Sequence, residues 1–88
     1  MARVFIPHAM RKLTNGQLEA QIPGKNLREV IENLEKEFPG AAEYVLQDGS
    51  LKPGIAVVVG EQATRQGLLH KIDGDNTEVH FLPAIAGG

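Results

Sequence analysis

The sequence contains no cysteine and no tryptophan, and only one tyrosine and three phenylalanines among its 88 residues. Without cysteine there is no disulfide, no thiolate-ligated zinc or iron–sulfur site, no thiol nucleophile and no side-chain persulfide. Any sulfur chemistry has to use another atom of the chain. An excess of one charge sign is also missing: nine Lys plus Arg face eleven Asp plus Glu, a net charge of −2. That balance gives no basic footprint for a phosphate backbone, so no nucleic-acid partner is expected. Long apolar runs are absent too. Met1-Ala2-Arg3 is followed by only Val4, Phe5 and Ile6 before Pro7, too short for a signal peptide, and nothing approaches the ~20 residues of a membrane span. The expectation is a soluble, cytoplasmic protein with no membrane partner.

What is present suffices for one small core. With 42% hydrophobic and 23% charged residues the composition is that of a folded domain rather than a disordered chain. Val4 and Ile6 alternate with Phe5 and Pro7, which predicts a first strand with Val4 and Ile6 inward and Phe5 and Pro7 on the other face. Thr14-Asn15-Gly16-Gln17 is a turn signal, and beyond it Leu18, Ala20 and Ile22 alternate with Gln17, Glu19 and Gln21, as in the second arm of a hairpin. After Pro23-Gly24 the period changes. Asn26 with Glu29 three residues on predicts a capping-box start. Leu27, Val30, Ile31, Leu34 and Phe38 then form one apolar helical stripe, stopped by Pro39-Gly40. A short helical turn over 41–46 and a turn at Gln47-Asp48-Gly49-Ser50 follow. Ile55-Ala56-Val57-Val58-Val59 is apolar on both faces, as a flanked strand should be. After the turn Asp73-Gly74-Asp75-Asn76, the run Glu78–Leu82 reads as the last strand, with Val79 and Phe81 on one face and Glu78, His80 and Leu82 on the other. Pro83, lacking an N–H, should end it.

Catalytic constellations are missing. Ser50 is the single serine and sits in a turn; His8, His70 and His80 lack close metal-ligand spacing, so no metal is expected. Glu29, Glu32, Glu35 and Glu37 read as the solvated side of the helix. The ten glycines make neither a phosphate loop nor a dinucleotide fingerprint. The chain is expected to have no catalytic residues of its own and to bind no cofactor.

The informative feature is the end, Pro83-Ala84-Ile85-Ala86-Gly87-Gly88. Extended, these residues reach at most ~20 Å beyond the last strand, and the final ones are small enough to thread a narrow channel. A carboxylate is a poor electrophile, but as an acyl-adenylate it has a good leaving group, and glycine has no Cβ to obstruct attack at its carbonyl. This end is a handle that another enzyme can activate. The run Phe81-Leu82-Pro83-Ala84-Ile85-Ala86-Gly87-Gly88, the turn Asp73-Gly74-Asp75, the helix Leu27–Phe38 with Pro39-Gly40, and Leu51-Lys52-Pro53-Gly54 before a Val-rich strand resemble the MoaD/ThiS sulfur carriers over essentially the whole chain. Val4-Phe5-Ile6-Pro7 and Thr14-Asn15-Gly16-Gln17 further resemble the branch serving cysteine biosynthesis. The link from the acidic turn to the last strand is about two residues longer than is usual in that family, which leaves the strand's register open.

The resemblance implies an α+β fold of the ubiquitin-like β-grasp type, a mixed sheet wrapped around one main helix. Residues 1–83 would form the domain and residues 84–88 a flexible tail. It also implies a ubiquitin-activating-enzyme-like partner that uses ATP to adenylate Gly88, a covalent C-terminal thiocarboxylate formed there, and an acceptor enzyme that takes the sulfur. Gly87, Ala86, Ile85 and Ala84 would be the tail that carries Gly88 into these partners. The acceptor would be cysteine-synthase-like, or, if the chain is instead the small subunit of molybdopterin synthase, that enzyme's large subunit acting on a pterin precursor. A ubiquitin-like modifier conjugated through Gly88 is a further alternative. Alternation along the strands marks Phe5, Pro7 and Leu82 as apolar positions with no helix to cover them, and with Pro83 beside Leu82 they are the expected partner interface, with Arg11 and Lys12 at its rim.

Overall fold

The computed structural model describes residues 1–64 and 66–83. Five strands form one mixed sheet: β1 (Ala2–Phe5), β2 (Glu19–Ile22), β5 (Ile55–Val59), β6 (Gln62–Ala63) and β7 (Thr77–Pro83), in the order β2-β1-β7-β5-β6. A separate two-residue hairpin pairs β3 (Leu46–Gln47) with β4 (Ser50–Leu51). Helix α1 (Leu27–Glu37) crosses the inner face of the sheet, followed by the short α2 (Ala41–Val45). β7 is the centre of the sheet, parallel to β1 and antiparallel to β5.

The core follows from two periodicities. Leu27, Val30, Ile31 and Leu34 are buried along α1, and they meet Val4, Ile6, Ile22, Val57, Val59, Val79 and Phe81 from the alternating inward positions of the strands. An amphipathic helix laid on a half-polar sheet is the simplest way to remove both apolar surfaces from water. Asn26 caps α1, its Oδ1 accepting from the Glu29 amide at 2.9 Å. The Glu29 carboxylate accepts from the Lys25 amide at 3.1 Å, one residue earlier than a reciprocal capping box requires.

Other expectations need correction. β1 and β2 pair as a hairpin, but thirteen residues join them and include a 3-10 turn over His8–Met10. The Asn15-Gly16 turn lies within this connection, with φ of 54° and 85°, the left-handed conformations Asn and Gly accept most readily. Leu18, expected inward with Ile22, is 60% exposed; β2 begins only at Glu19, and the helical stripe does not extend over Leu18. β7 ends at Pro83, as expected, with Pro83 opposite Ile55, but it begins at Thr77, one residue earlier than the run Glu78–Leu82 suggested. The register left open is set: Thr77 opposite Ala2, Glu78 opposite Arg3, Val79 opposite Val4 and His80 opposite Phe5. Asn76, at φ 62°, turns the chain into it and donates its amide to the Met1 carbonyl at 2.9 Å.

Glu35 is the clearest misreading among the helix glutamates. Its carboxylate leaves the solvated side and accepts from the Gly40 amide at 3.0 and 3.1 Å and from the Ala42 amide at 2.8 Å. The hydrogen bonds from Ala42 and then Gly40 hold its pKa below the ordinary carboxylate value. Glu35 thus fixes the corner between α1 and α2, a tertiary contact with no signature in a helical repeat.

Candidate functional site

The outer face of the sheet carries no helix, and alternation delivers to it Arg3, Phe5, Glu78, His80, Leu82, Ala56 and Val58. Cross-strand register arranges them in rows. Farthest from the chain end, Arg3 stands opposite Glu78 on one side and Gln21 on the other. In the next row Glu19, Phe5, His80 and Val58 run across four strands. Nearest the chain end, Leu82 pairs with Ala56. The face therefore grades from charged to apolar toward the point where β7 ends.

Each row is ordered by its own contacts. The Phe5 and His80 rings stack at a centroid distance of 4.2 Å and an interplanar angle of 11°, and the Arg3 guanidinium lies 5.1 Å from the Phe5 centroid, within cation–π range. Arg3 Nε and Nη2 donate to the two Glu19 carboxylate oxygens at 3.1 Å each. That bidentate hydrogen bond, with the Glu19 charge, raises the Arg3 pKa further above its ordinary value. The His80 Nε2–H donates to Glu78 Oε1 at 3.1 Å. The charged end is thus internally satisfied, while Leu82, 46% exposed, is left without a cover.

Of the expected interface residues, Phe5 and Leu82 lie on this face as alternation requires, Pro7 continues the outward alternation of β1 with a half-buried position, and Pro83 is the final residue of β7. Arg11 lies in the connection after β1, beside His8. Gly88, Gly87, Ala86, Ile85 and Ala84, the expected site of chemistry, lie outside the described residues. Residues the sequence reading passed over are His80, Ala56 and Val58. The alternation that exposed Leu82 also placed His80 there, but the register that brings Phe5 beneath it and Val58 beside it belongs to tertiary pairing. Among the described residues no three His, Cys, Asp or Glu side chains gather to hold a metal, and no helix is long and apolar enough to cross a membrane.

Residues 4–88 match the model of the ThiS family. The chain belongs to the ThiS family. The sulfur carrier proteins CysO of Mycobacterium tuberculosis and Mycobacterium bovis are each 33% identical to this ThiS-family chain over 89 residues, covering 97% of it and 96% of theirs. Among solved structures, CysO in the BexX/CysO complex of Amycolatopsis orientalis superposes with a TM-score of 0.89 at 28% identity, covering all of both chains. CysO of M. tuberculosis superposes at 0.88 with 29% identity over 97% of this chain and all of that one. The small archaeal modifier protein 1 of Methanosarcina acetivorans shares the fold, with a TM-score of 0.79 at 21% identity over 99% of this chain and 95% of that one. The mixed sheet around one main helix is the β-grasp fold of this family.

Proposed function

We propose that this protein is a sulfur carrier of the cysteine-biosynthesis type, a co-substrate rather than a catalyst, whose sulfur travels as a thiocarboxylate on Gly88. The observation that carries the reading is the full-length similarity to CysO, joined to a Gly87-Gly88 pair a few residues beyond β7 in the sequence. A ubiquitin-activating-enzyme-like partner would dock on Phe5, His80, Val58 and Leu82. The Gly88 carboxylate would attack the α-phosphorus of ATP, releasing pyrophosphate and leaving a glycyl adenylate. A sulfur donor at the oxidation level of hydrosulfide would then form the C–S bond as the C–O bond to AMP breaks. An acceptor enzyme of the cysteine-synthase type would take the sulfur from the same tail.

The absence of cysteine fits this chemistry, since no internal thiol can capture the activated glycyl carbonyl. The test is intact mass spectrometry after incubation with ATP, a sulfide donor and the candidate adenylating enzyme. Replacement of one oxygen by sulfur at the C-terminus is expected, and a Gly88 deletion should abolish it. Conversion with a molybdopterin-synthase large subunit but no cysteine-synthase-like enzyme as acceptor would refute the pathway assignment. Higher-mass protein conjugates without a thiocarboxylate would refute the carrier reading.

A further inference from the structure

The cationic groups of this chain are not spread evenly. No Asp or Glu precedes Glu19, and Glu19 itself is held by Arg3. Between them, His8, Ala9, Arg11 and Lys12 line a groove of about 470 Å3. Among the described residues, every ion pair lies elsewhere, and neither Arg11 nor Lys12 has a carboxylate partner. Arg11 Nη1 lies 3.4 Å from His8 Nδ1, a long contact that only a neutral His8 can accept. Arg11 Nε is buried with no hydrogen-bond partner. A guanidinium offers five donors in a planar fork matched to a carboxylate, and among the described residues one long hydrogen bond is its single side-chain contact.

Topology puts this groove at a particular place. β1 is parallel to β7, with Phe5 opposite His80, so the chain leaving β1 emerges at the same end of the sheet at which β7 reaches Pro83. Residues 8–12 therefore follow β1 at the end of the sheet where β7 reaches Pro83. An extended tail can carry the Gly88 carboxylate as much as ~17–20 Å beyond Pro83, far enough for the groove to meet a partner's surface while Gly88 reacts inside a cleft.

We infer that the groove of His8, Arg11 and Lys12 receives an acidic surface of the adenylating partner at the mouth of its active-site cleft. The inference rests on the reading above that such a partner acts on Gly88. The apolar end of the sheet supplies the contact area, while the groove supplies charge that steers the tail toward the cleft and sets its entry angle.

The test uses the full-length carrier and its adenylating enzyme, with ATP–pyrophosphate exchange read as a function of carrier, ATP and salt. Arg11→Gln/Lys12→Gln is expected to lower kcat/KM for the carrier roughly threefold to tenfold at low ionic strength. It should also flatten the salt dependence, with kcat, the KM for ATP and the thermal midpoint unchanged. Lys12→Glu, at an exposed position, should lower kcat/KM without any demand on folding, and Arg11→Lys/Lys12→Arg should retain the salt dependence. An active wild type whose variants show the same rate and the same salt slope would overturn the inference and leave the carrier reading intact. A raised KM for ATP with an unchanged KM for the carrier would assign the groove to the nucleotide and overturn it as well. No exchange with the wild-type carrier would overturn both.

Discussion

Leu82 and Phe81 are neighbours on one strand with opposite surroundings, and substituting each separates docking from folding. Phe81 is 3% exposed and belongs to the core, whereas Leu82 is 46% exposed. Truncating a buried Phe costs ~3–5 kcal/mol, comparable with the whole stability of ~4–13 kcal/mol expected for a domain of this length. Phe81→Ala should therefore lower the thermal midpoint by ~15 °C or more. Fully burying a Leu side chain stabilises by ~1.5–3 kcal/mol; Leu82 has about half of that still to gain, so Leu82→Ala should lose ~0.7–1.5 kcal/mol of partner binding, roughly threefold to tenfold in kcat/KM. Leu82→Glu adds the desolvation of a carboxylate at the interface and should cost ~3 kcal/mol or more, about a hundredfold or greater. The half of Leu82 already buried supports the fold, so either Leu82 variant should lower folding stability by only ~0.7–1.5 kcal/mol, well short of Phe81→Ala. Adenylation kinetics with the partner enzyme and thermal melts of the free carrier make the comparison. Leu82→Glu with unchanged kcat/KM would refute the assignment of the outer face as the docking surface, and loss of fold in the same variant would refute the placement of Leu82.

Three further predictions concern the scaffold. A Cβ at Gly24 would lie 2.7 Å from both the Val30 amide nitrogen and Val30 Cγ2, so Gly24→Ala should destabilise by ~1–3 kcal/mol through overpacking, measured by urea denaturation with an unchanged m-value. Asn26→Ala removes the 2.9 Å cap on Glu29 and should cost ~1 kcal/mol, seen as a lower thermal midpoint with near-native circular dichroism. Glu35, whose folded pKa lies below its ordinary 4.5, stabilises the protein when ionised. That contribution is complete above the unfolded value and is lost as pH falls through the lower folded value. Acid titrations of stability should therefore be shallower in Glu35→Gln than in the wild type below the ordinary glutamate value, and identical slopes would refute the capping role.

The helix and its burial were legible from the sequence because a stripe of five apolar residues at helical spacing, begun by Asn26 and ended by Pro39-Gly40, is a local signal. The outward position of Phe5 and Leu82 was legible for the same reason, since a period of two fixes the face of every strand residue once one is known. Leu18 was misread because periodicity carries no information about where the covering helix stops. Glu35 was misread because its partners, Gly40 and Ala42, lie beyond a chain reversal.

By itself, then, the sequence determined the main helix, the principal strands and most of the faces they present, the absence of any thiol and the Gly87-Gly88 run. These depend on residue type and on spacing within a few positions. The tertiary structure decided the order of strands and with it the function-bearing geometry. Parallel pairing of β1 with β7 stacks Phe5 on His80 and brings the segment of His8, Arg11 and Lys12 to the end of the sheet where β7 reaches Pro83, while antiparallel pairing with β5 sets Val58 and Ala56 beside His80 and Leu82. Parallel strands far apart in sequence are joined by no local turn that could announce their register; it is set by burying Val4, Val79 and the helical stripe together, and only that packing gathers Phe5, His80, Val58 and Leu82 on one uncovered face.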